Sequence, residues 1–224
     1  MAQTPEKPAV TTATTQDQVI ETAFRMIDER GYAKFSIRAL AEQLGIGTMS
    51  VYTYVPSKKQ LLFNVLQKMQ SEIDNAPVAG EHWEDTLHRT CGSILKVNLA
   101  HANIRLMQMQ TQIELPQQHK RNIYYLHADQ GFPEDVYETM YGVLRSFLTG
   151  FIDMAVRRKL ELITQADDRF AGGRWTAIAE TDTDIERFHQ GIDFIIAGTR
   201  AMAAPNPCDW RTPEDPATWS WGKE

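Results

Sequence analysis

Between Ser36 and Lys58 the chain is punctuated so closely that few folds accommodate it. Ser36 is a natural N-cap. Ile37, Leu40, Ala41 and Leu44 recur at helical spacing, and Gly45 offers the left-handed turn that stops a helix. Ile46 is an apolar plug inside the turn. Thr48 reads as the cap of a next helix, which ends near Tyr54 because the residue before Pro56 is kept out of the α region. Ser57-Lys58-Lys59-Gln60 reads as a capping box. It opens a longer helix with Leu61, Leu62, Val65, Leu66, Met69 and Ile73 on one face. An earlier helix carries Val19, Ile20, Ala23, Phe24 and Ile27, with Thr14 or Thr15 to cap it and Gly31 to end it. The layout is a helix-turn-helix inside a small helical head, and no strand pattern stands out elsewhere. The chain is expected to be all-α.

That layout assigns roles. The second helix of a helix-turn-helix lies in the major groove and presents its N-terminal residues to base edges. Here those residues are Gly47, Thr48, Met49, Ser50 and Thr53. Glycine admits close backbone approach, hydroxyls donate or accept, and Met49 and the Thr methyls can touch thymine methyl groups. No Arg or Asn on this helix offers a bidentate base contact, so readout leans on hydroxyl and apolar contacts and on DNA shape. Arg38, on the preceding helix, is the candidate for a strong base or phosphate contact. Ser36, Tyr52, Tyr54 and Lys58 suit phosphate oxygens, Lys58 from the first turn of its helix where free N–H groups also attract anions. The alternatives are Tyr52 as a head-core residue and Lys58 as a solvated lysine.

Charge distribution agrees. The chain of 224 residues carries a formal net charge of -6, which by itself argues against nucleic acid. From Lys34 to Gln70, however, Lys34, Arg38, Lys58, Lys59 and Lys68 face the single acid Glu42. A basic segment on an acidic remainder is a local electrostatic footprint.

Ala39-Leu40-Ala41, Gly45-Ile46-Gly47-Thr48-Met49-Ser50-Val51-Tyr52-Thr53-Tyr54 and Lys58-Lys59-Gln60-Leu61-Leu62 together resemble the signature of TetR-family transcriptional regulators. Tyr54 stands where His is frequent and Val55 where Phe is frequent. Both keep the chemical character. The resemblance spans roughly Gln16 to Asn75.

The remainder reads as a larger helical body. Residues 1–15 are a Thr/Ala/Pro-rich arm expected to be disordered, 16–75 the head, 76–204 the body, and 205–224 an extended tail laid over it by its tryptophans. Helical stretches are expected near Trp83–Ala100, His101–Gln112, Gln117–His127, Pro133–Arg158 and Asp184–Ala203. On the fourth, Gly142, Ser146 and Gly150 line up beside Val143, Phe147 and Phe151. On the last, Gly191 and Gly198 share a face with Phe188, Ile195 and Thr199. The family resemblance implies a homodimer through a four-helix bundle made by these two helices, and hence a palindromic double-stranded DNA operator. Tight packing within one subunit is the alternative. The segment Phe188 to Gly198 and Gly131-Phe132-Pro133 also look like the effector domain of the tetracycline-repressor branch.

The resemblance further implies a small-molecule effector, bound in the body and releasing DNA. Candidate lining residues are Asn98, His101, Ile104, Arg105, Met107, Gln108, Met109, Gln112, Tyr125, Met140 and Phe147, with ordinary core or surface roles as the alternative. His101 shows no acidic partner at ligand spacing, and no metal or other cofactor is expected. Repression is the family default.

Other classes fit less well. The chain has no Gly-rich phosphate loop, no His-Glu-x-x-His and no Gly-x-Ser-x-Gly, so an enzyme is not expected. Mean hydropathy of -0.40 and the lack of a long apolar run argue against a membrane span. Cys91 and Cys208 are too few for a disulfide framework, and the cytoplasm is the expected compartment. A thiol redox sensor working through Cys91 is the alternative function.

Overall fold

The computed structural model describes residues 14–115, 131–160, 182–204, 209–212 and 214, with side chains omitted at 182–184. Among these residues eight α-helices follow in order: α1 (Gln16–Arg30), α2 (Ile37–Leu44), α3 (Thr48–Tyr54), α4 (Lys58–Gln70), α5 (Trp83–Ala100), α6 (Ala102–Thr111), α7 (Glu134–Lys159) and α8 (Asp182–Ala203). A 3-10 turn, Tyr32–Lys34, joins α1 to α2. Among the described residues the only β pairing is one bridge, His82 with Arg211. The expected helix Gln117–His127 lies outside the described residues.

Local signals set the head's boundaries. Thr15 caps α1 with a complete capping box: its hydroxyl accepts from Gln18 N at 3.2 Å, and the Gln18 side chain accepts from Thr15 N at 2.9 Å. Gly45 ends α2 in the left-handed region at φ 68, ψ 27. Val55 is extended at φ -137, ψ 126, as its position before Pro56 requires. Ser57 caps α4 by accepting from Gln60 N at 3.0 Å. The reciprocal half of the expected box is not made; the Gln60 side chain turns along the helix and donates Nε2 to Asn64 Oδ1 at 2.9 Å.

The apolar core crosses the expected head–body boundary. Val19, Ala23, Ile27, Leu40, Val51, Leu61, Val65 and Leu66 form one buried cluster, and Val97, Ile104, Met107 and Ile113 of the following segment belong to it. The intervening stretch is pinned by Arg89 of α5, which donates to Glu81 at 2.7 and 2.8 Å, to Asp74 Oδ1 at 2.9 Å and to the Ala76 carbonyl at 2.9 Å.

A second cluster fills the body, from Trp83, Leu87, Cys91 and Leu95 of α5 to Val136, Met140 and Leu144 of α7 and Phe188 and Ile192 of α8. Trp210 docks here, ring centroid 5.9 Å from Trp83 and 3.9 Å from Phe132. Thr212 N donates to Glu81 O and Gly80 N to Thr212 O, each at 2.8 Å. Residues 209–212 therefore lie on the body. Trp219 and Trp221 lie outside the described residues.

Candidate nucleic-acid interface

The turn between α2 and α3 is built by backbone bonds. Gly45 N donates to Glu42 O at 3.1 Å and Ile46 N to Ala41 O at 3.0 Å, which closes α2 and sends the chain into α3. Thr48 does not cap α3. Gly47 holds the cap position without a side-chain hydrogen bond, so the Thr48 hydroxyl is not drawn into the helix start.

Val51 is fully buried and anchors α3. The opposite face points outward: Gly47, Thr48, Met49, Ser50, Tyr52 and Thr53 are all exposed. Met49 is 77% exposed at the start of this seven-residue helix, so its thioether is free to meet an apolar group on a partner. Thr53 Oγ1 donates to Ser50 O at 2.7 Å, which ties its hydroxyl hydrogen back to the helix. Tyr52 is 39% exposed, which removes the reading of it as a core residue. Tyr54 is half-buried against the head core.

The flanks carry the phosphate-type groups. Arg38 is exposed on α2. Ser36 Oγ accepts from Ala39 N at 3.1 Å, which leaves its O–H to donate outward. Lys58 is not a freely solvated lysine: its Nζ stands 4.8 Å from the Tyr32 ring centroid and 5.7 Å from that of Phe35. Cation–π contact with the 3-10 turn thus holds the ammonium at the first turn of α4. This aromatic seat was readable in Tyr32 and Phe35 only once the turn's geometry was known.

The body candidates do not converge. Met107 and Ile104 are fully buried in the cluster shared with the head, so they do not line a separate body cavity. His101 spends both ring nitrogens on Asp28 and Glu72, at 2.9 Å each, which corrects its reading as a ligand-orienting group without acidic partners. Arg105 donates to Asp153 of α7 at 2.7 and 2.9 Å and to Gln108 at 2.7 Å. Asn98 is buried and donates to Ile94 O at 2.8 Å, within its own helix. Gln112 ends α6 with a left-handed φ of 51 and is exposed. Met109 is half-buried, Met140 sits in the body core, and Phe147 packs beside it. Tyr125 lies outside the described residues.

The helix-face candidates divide in two. Phe188 is fully buried in its own subunit, and Gly191 faces the Phe147 ring of the same chain, so neither lies on a free face. Ile195 is half-buried against the same core. Gly142, Ser146, Gly150 and Gly198 are exposed, and added Cβ atoms at the three glycines would meet open space. Around them stand Val143, Met154, Phe194 and Met202, all at least half exposed, Phe194 at 81%. The Phe194–Gly198–Met202 spacing was the available signal for the last pair.

Cys91 is 1% exposed, and desolvation pushes its thiol up to about 12. It stays protonated near neutral pH, and this setting gives the redox-sensor reading no support.

Fold and surface together define a helix-turn-helix protein with a helical companion body. The family model described as Bacterial regulatory proteins, tetR family, matches residues 19–65. That segment, about a fifth of the chain, is similar to this family of bacterial regulatory proteins. It is 40% identical over 67 residues to the HTH-type transcriptional repressor DrrR1 of Streptomyces coeruleorubidus, covering 30% of this chain and 25% of that one. The match thus spans only a quarter of that relative's length. The fold is similar to that of the Streptomyces coelicolor TetR family protein ActR in complex with actinorhodin, with a TM-score of 0.66, 22% identity, and coverage of 87% of this chain and 99% of that one. It is also similar to BioQ with its double-stranded DNA operator, with a TM-score of 0.59, 15% identity, and coverage of 84% and 99%. None of the described helices is long and apolar enough to cross a membrane.

Proposed function

We propose that this protein is a cytoplasmic transcriptional repressor that binds a palindromic operator as a homodimer and leaves it when a small molecule occupies the body. The observation that carries the reading is the outward row Gly47–Thr48–Met49–Ser50 at the start of α3, flanked by Arg38, Tyr52 and the ring-seated Lys58. α3 enters the major groove, and Thr48, Met49, Ser50 and Thr53 meet base edges. Ser36, Arg38, Tyr52, Tyr54 and Lys58 hold the phosphates. The repressor DrrR1 supports the direction of control, and the complexes of ActR with actinorhodin and of BioQ with DNA support the two ligand classes.

The second copy docks on the exposed face of α7 and α8. Large apolar side chains beside open glycines make that face self-complementary in the manner of a helical bundle. Two α3 helices then stand roughly 34–36 Å apart, one DNA turn, or a multiple of it.

The test is fluorescence anisotropy with the duplex upstream of the gene, run as a salt series and repeated with Tyr52→Ala and a panel of small molecules. Tight binding that falls steeply with salt, weakens in the variant and is reversed by a compound supports the reading. Weak binding, indifferent to salt and to Tyr52, removes it.

A further inference from the structure

Head and body meet at a side chain that reaches both. His101 stands at the junction of α5 and α6. Its Nδ1 lies 2.9 Å from Asp28 Oδ2 on α1, and its Nε2 lies 2.9 Å from Glu72 Oε2, just beyond α4. Phe24 of α1 meets the imidazole edge-on at a centroid distance of 5.0 Å. Asn103 Nδ2 donates to the Asp28 carbonyl at 2.7 Å and fixes the same end of α1. Ionised carboxylates only accept, so both ring nitrogens must donate, and only the imidazolium has two N–H groups. A neutral ring would aim a lone pair at one carboxylate.

We propose that His101 is a proton-operated latch between the DNA-reading head and the body: as imidazolium it ties α1 and the end of α4 to the α5–α6 joint, and loss of one proton releases a tie. The consequence for operator binding rests on the DNA-binding function proposed above. The latch itself does not.

The groups around the ring favour the charged form. Asp28 faces it from α1 and Glu72 from the end of α4. Lys68 of α4 is held by Glu21 at 2.8 Å and lies 5.3 Å from the Phe24 ring centroid. Arg105 of α6 is turned to Asp153 of α7, and Lys159 of α7 donates to Leu99 O at 2.7 Å. Partial burial pulls His101 down, but hydrogen bonds and charges from Asp28 and Glu72 outweigh it and leave it above its ordinary 6.5. The latch is therefore at full strength below 6.5 and is lost as pH rises through the higher folded value.

A loosened head must be ordered again when it binds DNA, which weakens the complex. The experiment follows the His101 ring protons of the full chain by NMR across a pH series. The wild type should titrate above 6.5, and the Asp28→Asn/Glu72→Gln variant should return toward that value. Melting temperatures of wild type and His101→Gln should differ at low pH and converge as pH rises. Operator affinity of the wild type should fall on the order of tenfold through the His101 midpoint while His101→Gln stays flat. A midpoint at or below 6.5, a melting gap that is constant with pH, or parallel affinity profiles overturns the latch. If neither protein binds the operator at any pH, the DNA-binding function fails, and the NMR and melting arms still decide the latch.

Discussion

Head and body both depend on glycine, for opposite reasons. Gly45 in the head has φ +68 and nothing within 4 Å of where a Cβ would stand. It is required by the backbone, which must leave α2 in a left-handed turn. Gly191 in the body sits within α8, and a Cβ there would run into the ring of Phe147. It is required by space. The same contrast runs through the two regions. The head buries its apolar residues and leaves a small chemical surface on α3, with Met49 and Tyr52 as its exposed large side chains. The body leaves Val143, Met154, Phe194 and Met202 outside, beside open glycines. The head gathers its exposed groups on one short helix, while the body leaves large apolar side chains bare along two long ones.

The largest test of this contrast is Trp83→Ala. Trp83 is 1% exposed, packed against the Phe132–Trp210 pair, and its loss should cost about 3–5 kcal/mol of stability, read by chemical denaturation. Phe194→Asp comes next. The subunit should stay folded, because the side chain is 81% exposed, while the dimer proposed above should lose about 2 kcal/mol or more, read by light scattering over a dilution series. An unchanged dimer would move the interface off this face.

The two glycines give a matched pair. Gly191→Ala should destabilise by about 1–3 kcal/mol through crowding, and relief by Phe147→Leu would identify the clash. Gly45→Ala should cost about 1–2 kcal/mol that no neighbouring substitution restores, since the strain is in the backbone. The smallest effect is expected for Lys58→Ala. It should leave the melting temperature nearly unchanged, weaken all duplexes alike and lower the salt slope by about 1. A slope equal to the wild type's would remove Lys58 from the phosphate contacts.

The head was legible because its signals are local. Ser36, Gly45, Pro56 and Ser57 each act within a few residues of themselves, and the helices begin and end where they direct. The misreadings were of the same local kind: Gly47 rather than Thr48 opens α3, and the complete capping box is at Thr15 and Gln18 rather than at Ser57 and Gln60. The body was harder because its determinants are distant. His101 finds Asp28 at a separation of 73 residues and Glu72 at 29, and no periodicity joins them. Phe188 and Gly191 share their helical spacing with Gly198, yet two face inward and one outward. Periodicity reveals that a face is apolar or small without saying which surface covers it.

The docking of Trp210 also orders events during synthesis. The head's cluster is complete once Ile113 has emerged, whereas α5 cannot finish its packing until Trp210 reaches Trp83 and Phe132. At translation rates of roughly 5–20 residues per second, on the order of 5–20 s separates the two. A nascent chain can therefore complete the head's cluster before its body closes, and a ribosome stalled in that interval holds α3 already presented while α5 still waits for Trp210.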